Sequence, residues 1–252
     1  MRAQTKWNGP DEVGVMSATP APASHCENNV QTPGQGLGAA DETSDLQAIK
    51  LCAMKRSFDI LFAVGLIIIF LPLFALLCLA VKLSSPGPVI FAQHRIGKDG
   101  RLFLCYKLRS MVTDADVQLA RLLAEDPAAR AEWVRDQKLR NDPRITPVGG
   151  FLRSSSLDEL PQLWNILKGD MSVVGPRPIV EAEAVRYGDH FAHYCALRPG
   201  LTGLWQVSGR NDVSYAERVR LDVRYVEDRS FLGDLSICLQ TIPMMMSAKG
   251  CY

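Results

Sequence analysis

The sequence predicts an α+β protein, a domain of helices with one short β-hairpin carried on a membrane-embedded helix. Three observations predict it. Residues 60–81 form a run of 22 without a charge, interrupted by Pro72. Two segments of strand period follow, residues 89–95 and 102–109, around Gly97-Lys98-Asp99-Gly100. Beyond them, apolar residues recur at helical spacing almost to the end of the chain. At 252 residues, 47% apolar and 22% charged, the chain can build one or two domains with a core, and wholesale disorder is excluded.

Residues 1–50 are rich in Pro, Gly, Ser, Thr, Gln and Asn without an apolar period, and they read as a flexible tail. Gly34-Gln35-Gly36-Leu37-Gly38 has neither a strand before it nor a helix after it, so it is linker rather than a phosphate loop. Removing the tail's three basic and six acidic residues from totals of 28 and 27 leaves 25 against 21. That modest excess does not mark a nucleic-acid-coating protein. The seven cysteines are scattered without a C-x-x-C pair, which fits free thiols in a reducing compartment.

Lys55, Arg56 and Asp59 precede the apolar run and Lys82 follows it. As one straight helix it just spans a hydrocarbon core of about 30 Å, but Pro72 removes a helical hydrogen bond in its middle. The arms on either side reach only about 14–18 Å at helical rise, so they could dip in and return. Basic residues on both flanks place both ends on the cytoplasmic side by the positive-inside rule. A straight span and a re-entrant hairpin both remain open at this point.

Ser84-Ser85-Pro86-Gly87-Pro88 ends the helix, and the hairpin follows. Period two sets Phe103, Cys105, Lys107 and Arg109 on one face of its second strand, with two cations at the end. Residues 112–140 read as helix broken at Pro127, with Leu119, Leu122 and Leu123 as a packing stripe.

The densest chemistry lies at Ser156-Leu157-Asp158-Glu159-Leu160-Pro161. Leu160, Leu163, Trp164 and Leu167 repeat at helical spacing and Gly169 suits the stop, so a helix begins near Ser156 or at Asp158. Ser156 and Glu159 have capping-box spacing, but that start puts Pro161 where its missing N–H matters. Two adjacent carboxylates beside free N–H groups are favoured in ionised form. One can act as a nucleophile while its neighbour holds a metal, although acidic first turns are also common caps.

Arg177, between Pro176 and Pro178, is confined to extended backbone. With Lys107, Arg109, Arg144 and Arg153 it can form a cationic set able to bind a diphosphate. His190 and His193 lack an evident third ligand, so no metal site is assigned there. Residues 198–210 read as turn, strand, turn, with Trp205 packed or facing the membrane.

Several ordered motifs resemble a known family, the monotopic bacterial phosphoglycosyl transferases that start exopolysaccharide and O-antigen synthesis. They are Lys55-Arg56-Ser57-Phe58-Asp59-Ile60, Pro86-Gly87-Pro88-Val89 with Gln93 and Arg95, Lys107-Leu108-Arg109-Ser110-Met111, and Asp142-Pro143-Arg144. Residues 156–163, 169–178 and 198–210 complete the set. The resemblance implies a compact, non-Rossmann catalytic domain (84–252) in the cytoplasm, on a re-entrant helix (51–83) in the bacterial inner membrane. It implies transfer of hexose-1-phosphate from a UDP-hexose to undecaprenyl phosphate through an aspartyl intermediate, with Asp158 as nucleophile, Glu159 as ligand of Mg2+, and UMP as product. The C-terminal pattern is most similar to galactose phosphotransferases, which puts UDP-galactose first and UDP-glucose next. The expected partners are therefore both substrates and membrane lipids, with a homodimer left open and nucleic acid excluded. Leu71 stands where relatives often carry Ser, so no hydroxyl there serves a carbonyl freed by Pro72, and Leu108 replaces a frequent Phe. Two other readings use the same residues: a membrane-anchored scaffold whose basic surface holds anionic lipid or an assembly partner, and a membrane phosphatase acting on a lipid diphosphate.

Overall fold

Ile60, Leu61 and the apolar residues after them sit in a single long helix, α1 (Ala39–Ser84), with Pro72 inside it. The structure, a computed structural model, describes residues 39–136, 139–209 and 213–246. Residues 44–252 make one compact unit and 1–43 another, of which only residues 39–43 are described. The helix thus starts inside the segment whose composition reads as tail. Gly34 to Gly38, Arg210, Cys26 and Cys251 lie outside the described residues, and the other five cysteines are free.

Cys52–Ser84 is long and apolar enough to cross a membrane, and only 11% of its most apolar stretch is buried. The buried minority is divided between two places. Before Pro72, Phe58, Phe62, Ala63, Leu66 and Ile67 join a core built on Phe103, Leu163, Ile166 and Val173. After it, Leu73, Phe74, Leu77 and Val81 pack with Leu108 and Leu152. Both arms of α1 therefore contact the same unit, and Leu61, Ile68, Ile69, Leu71, Leu76 and Leu79 face outward.

The hairpin forms as expected, with β1 (Ile90–Ile96) antiparallel to β2 (Leu102–Leu108). Its register pairs Phe91 with Lys107, Gln93 with Cys105 and Arg95 with Phe103, so these side chains share a face. The break at Pro127 separates α2 (Ala115–Glu125) from α3 (Pro127–Asp136), where proline takes the first helical position. The α2 stripe of Leu119, Leu122 and Leu123 is only partly buried, so this helix is peripheral.

Thr146 starts α4 (Pro147–Ser154) by accepting the Gly149 N–H at 2.9 Å. Gly149 is needed because any Cβ there would collide with the Ser110 carbonyl. Then comes α5 (Gln162–Lys168), ended by Gly169 at φ 91°, the stop its position suggested. β3 (Ser172–Val174) pairs in parallel with β4 (Gly200–Thr202). Between them run α6 (Glu181–Ala184), a 3-10 stretch Val185–His190 and α7 (Phe191–Cys195). The expected final turn after β4 is instead a helical turn, α8 (Leu204–Val207), followed by α9 (Tyr215–Asp228) and α10 (Phe231–Met246). Gly203 approaches Gly175 so closely that a Cβ would meet its carbonyl, and this contact turns the chain into α8.

Buried Asn165 fixes α5 to the hairpin: its amide donates to the Leu104 carbonyl at 2.6 Å and its oxygen accepts the Tyr106 N–H at 3.1 Å. Tyr194 ties the far end of the hairpin to the following segment, donating to Ile96 O at 2.6 Å while accepting the Ile179 N–H at 3.2 Å.

Candidate active site

Asp158 and Glu159 do not open a helix. They occupy a separate 3-10 turn, Leu157–Glu159, and Pro161 precedes α5 rather than lying within it. Ser156 makes no side-chain cap; it adopts a left-handed backbone at φ 58°, which reverses the chain between α4 and the acidic turn. The proline that conflicts with an earlier helix start is the physical reason for this correction. The Asn165 bonds then hold the turn beside β2, where Lys107 points at it.

Lys107 Nζ lies 2.6 Å from Glu159 Oε1 and 4.0 Å from Asp158 Oδ2. This unequal sharing separates the two acids. Burial, then the neighbouring Glu159 charge, pushes Asp158 up to about 6 against the weaker pull of Lys107 and Arg153. Burial also opposes ionisation of Glu159, but the Lys107 ammonium, helped by Arg177 and Arg95, outweighs it and holds that carboxyl below its ordinary range. Glu159 keeps 35% of its side-chain surface exposed, whereas Asp158 is down to 11%. Both acids in an N-terminal turn would have been stabilised as anions; in the folded protein only Glu159 is.

The structure gathers part of the expected cationic set. Lys107 and Arg153 act on Asp158, and Arg177 acts on Glu159. Arg153 is fixed by donating to Ser110 Oγ at 2.9 Å. Arg109 turns away, donating to the Ser85 carbonyl at 2.6 Å and its hydroxyl at 3.0 Å, and so ties β2 to the end of α1. Arg144 is neutralised by a two-pronged pair with Asp142 at 2.6 and 2.8 Å and lies over the Trp133 ring. Arg95 joins the group that acts on Glu159, held by the Pro178 carbonyl at 3.1 Å and Gln93 at 2.8 Å. The hairpin register, which puts Arg95 on the Lys107 face, is the signal that finds it.

Among the described residues no group of three or more His, Cys, Asp or Glu side chains could enclose a metal ion, and His193 instead approaches Glu227 at 3.9 Å. A hard cation such as Mg2+ needs less, because it keeps waters and takes one or two carboxylates together with substrate phosphate oxygens. Glu159, ionised and a third exposed, with Asp158 adjacent, fits that requirement once it shares its charge with Lys107.

Comparison with known proteins assigns the chain to a family. The family described as bacterial sugar transferase matches residues 50–248. The chain is 51% identical over 199 residues to the undecaprenyl-phosphate galactose phosphotransferase of Salmonella typhimurium, covering 79% of this chain and 42% of that protein. It is 50% identical over 198 residues to the exopolysaccharide production protein ExoY of Sinorhizobium fredii, covering 79% of this chain and 88% of the relative. It is 41% identical to the UDP-glucose:undecaprenyl-phosphate glucose-1-phosphate transferase of Caulobacter vibrioides, covering 79% and 72%. The chain thus spans less than half of the Salmonella protein and most of the Sinorhizobium one. With the match running from residue 50, in the first third of α1, through the end of α10, this chain belongs to the bacterial sugar transferase family.

Proposed function

We propose that the protein transfers hexose-1-phosphate from a UDP-hexose, galactose before glucose, to undecaprenyl phosphate and releases UMP, as an initiating step of exopolysaccharide or O-antigen synthesis. The observation that carries this reading is the split acid pair: a buried, weakly neutralised Asp158 beside an ionised Glu159, under Lys107. A carboxylate titrating near 6 is mostly ionised at neutral pH and a better nucleophile than an ordinary one. Asp158 Oδ2 attacks the β-phosphorus of the donor. The bond from that phosphorus to the bridging oxygen breaks, and its electron pair leaves with UMP. The phosphate oxygen of undecaprenyl phosphate then attacks the same phosphorus and frees the Asp158 carboxylate, so no net proton is taken up. Lys107, Arg153 and Arg177 gather charge around the transferring phosphate throughout. Glu159 would hold Mg2+, which would supply further neutralisation of phosphate oxygens.

The lipid acceptor calls for a site at the membrane surface. In this reading α1 enters the cytoplasmic leaflet and returns at Pro72, the catalytic domain (84–252) lies in the cytoplasm, the tail is 1–50 and the anchor 51–83. What supports it is that both arms of α1 pack on one domain, whereas a straight span carries its far arm across the bilayer. Detergent-solubilised protein given Mg2+, undecaprenyl phosphate and UDP-galactose or UDP-glucose tests the reaction: lipid-dependent UMP is expected, lost in Asp158→Asn. UDP as product would mean an ordinary glycosyl transfer, and no product from either donor would favour a scaffold.

A further inference from the structure

Buried polar atoms without hydrogen-bond partners are rare, because each one costs about 1–3 kcal/mol. Here several fall in one neighbourhood: Trp205 Nε1, Gln206 Oε1, Tyr215 OH and Arg218 Nε all lack a partner among the described residues. They come from α8 and α9, two helices in mutual contact. Arg177 connects them to the acid pair, since its guanidinium lies 5.6 Å from the Trp205 ring centre and it also acts electrostatically on Glu159, Tyr215, Arg218 and Asp222. We propose that this cluster is the binding site for the hexose ring of the sugar-nucleotide donor, reading its hydroxyl groups from the side of the acid pair away from the nucleotide.

The chemistry of the atoms favours a hexose over a base. Trp205 and Arg218 offer N–H donors, Gln206 offers an acceptor, and Tyr215 offers both, which suits sugar hydroxyls that each donate and accept. Stacking platforms are missing: Trp205 is only 4% exposed and lies under two guanidiniums, with Arg218 at 4.8 Å, and the Tyr215 ring is covered by Arg186 at 4.8 Å. Position agrees, because the hexose is the group bonded to the phosphate that Asp158 attacks, while the uracil is a phosphate and a ribose further off. Gln206, Tyr215 and Arg218 are each partly exposed, so side-chain rotation presents them to a ligand.

The inference rests on the proposed donor being a UDP-hexose, and a binding measurement separates the two. Tyr215→Phe removes a hydroxyl with no hydrogen-bond partner among the described residues, so its thermal midpoint should not fall. Calorimetric titration compares UDP-galactose and UMP on Asp158→Asn and on Asp158→Asn with Tyr215→Phe, the first change blocking consumption of the donor. Expected is a Kd for UDP-galactose weakened about 5–30-fold with the UMP Kd unchanged. Equal weakening for UMP would assign the cluster to the nucleotide, and unchanged affinity for both would leave it without a ligand; either overturns the proposal. UDP-galactose binding that is lost in the double variant, in a protein that releases no UMP, would keep the hexose site and sink the transfer reaction.

Discussion

Two charged groups in this protein are made from the same parts, one lysine and two carboxylates, and behave oppositely. At the base of α1, Lys55 Nζ lies 2.8 Å from Asp234 and 3.1 Å from Asp59. The remaining capacity of those acids is also used, since Asp59 accepts the Val173 N–H at 3.0 Å and Asp234 accepts the Tyr225 hydroxyl at 2.8 Å. At the acidic turn, Lys107 gives its close contact to Glu159 alone and leaves Asp158 at 4.0 Å. The first group joins α1, β3, α9 and α10, with both carboxylates drawn close to the one ammonium. The second holds a carboxylate whose ionised form is under-stabilised, the condition a nucleophile needs. How evenly the lysine is shared between its two acids, rather than residue type, separates the structural cluster from the reactive one.

The largest expected effect breaks the comparison at its reactive member. Asp158→Asn should lower UMP release by at least about 10^3-fold while leaving the thermal midpoint equal or higher, because it removes a charge that the fold holds at a cost of up to about 3 kcal/mol. Substantial turnover in that variant would transfer the nucleophile's role elsewhere. Lys55→Met should do the reverse. With Asp59 and Asp234 at 2% and 4% exposure, two buried carboxylates would lose their counter-ion. The destabilisation expected on denaturant unfolding is about 3–5 kcal/mol, with reduced yield of folded protein. A Lys55→Met protein as stable as wild type would remove the distinction drawn between the groups.

Lys107→Met sharpens the contrast by making the same substitution in the other group. Glu159 is a third exposed and can hydrate, so stability should change by less than about 1 kcal/mol. Activity should fall about 10^2-fold, because a cation aimed at the transferring phosphate is gone, and the acid limb of the rate profile should move to higher pH. A large stability loss with normal pH dependence would make Lys107 structural, like Lys55.

Neither group's character is visible in the sequence alone. The hairpin was legible because its period and its Gly97-to-Gly100 turn agree, as were the break at Pro127 and the stop at Gly169, all of them local effects. The acid pair was legible as residues but not as geometry: helical spacing after Leu160 drew the helix start too early, and Pro161 was the local sign that it begins later. Arg109 and Arg144 show what reading by charge leaves out, the partners within the fold. Both suit phosphate by type, yet one is bound to Ser85, 24 residues away, and the other to Asp142, two residues before it. The second partner was readable from spacing; the first depends on how the end of α1 meets β2.

The smallest expected effect is the pH dependence that the Asp158 environment imposes, and it runs in opposite directions for rate and stability. The rate follows the ionised fraction, so UMP release should be half-maximal near pH 6 and about a tenth of maximal one unit lower, on a single ionisation. Stability follows the proton. Asp158 binds it more tightly folded than unfolded, so the stabilising contribution is complete below the ordinary aspartate value and is lost as pH rises through about 6. Asn at this position carries no such dependence. The midpoint of Asp158→Asn relative to wild type should therefore climb between about pH 4 and 6 and level off above that. A difference constant across that range would mean that the native Asp158 is as well solvated as an exposed carboxylate, and the contrast with the evenly shared Lys55 group would then have to rest on Glu159 and Lys107 alone.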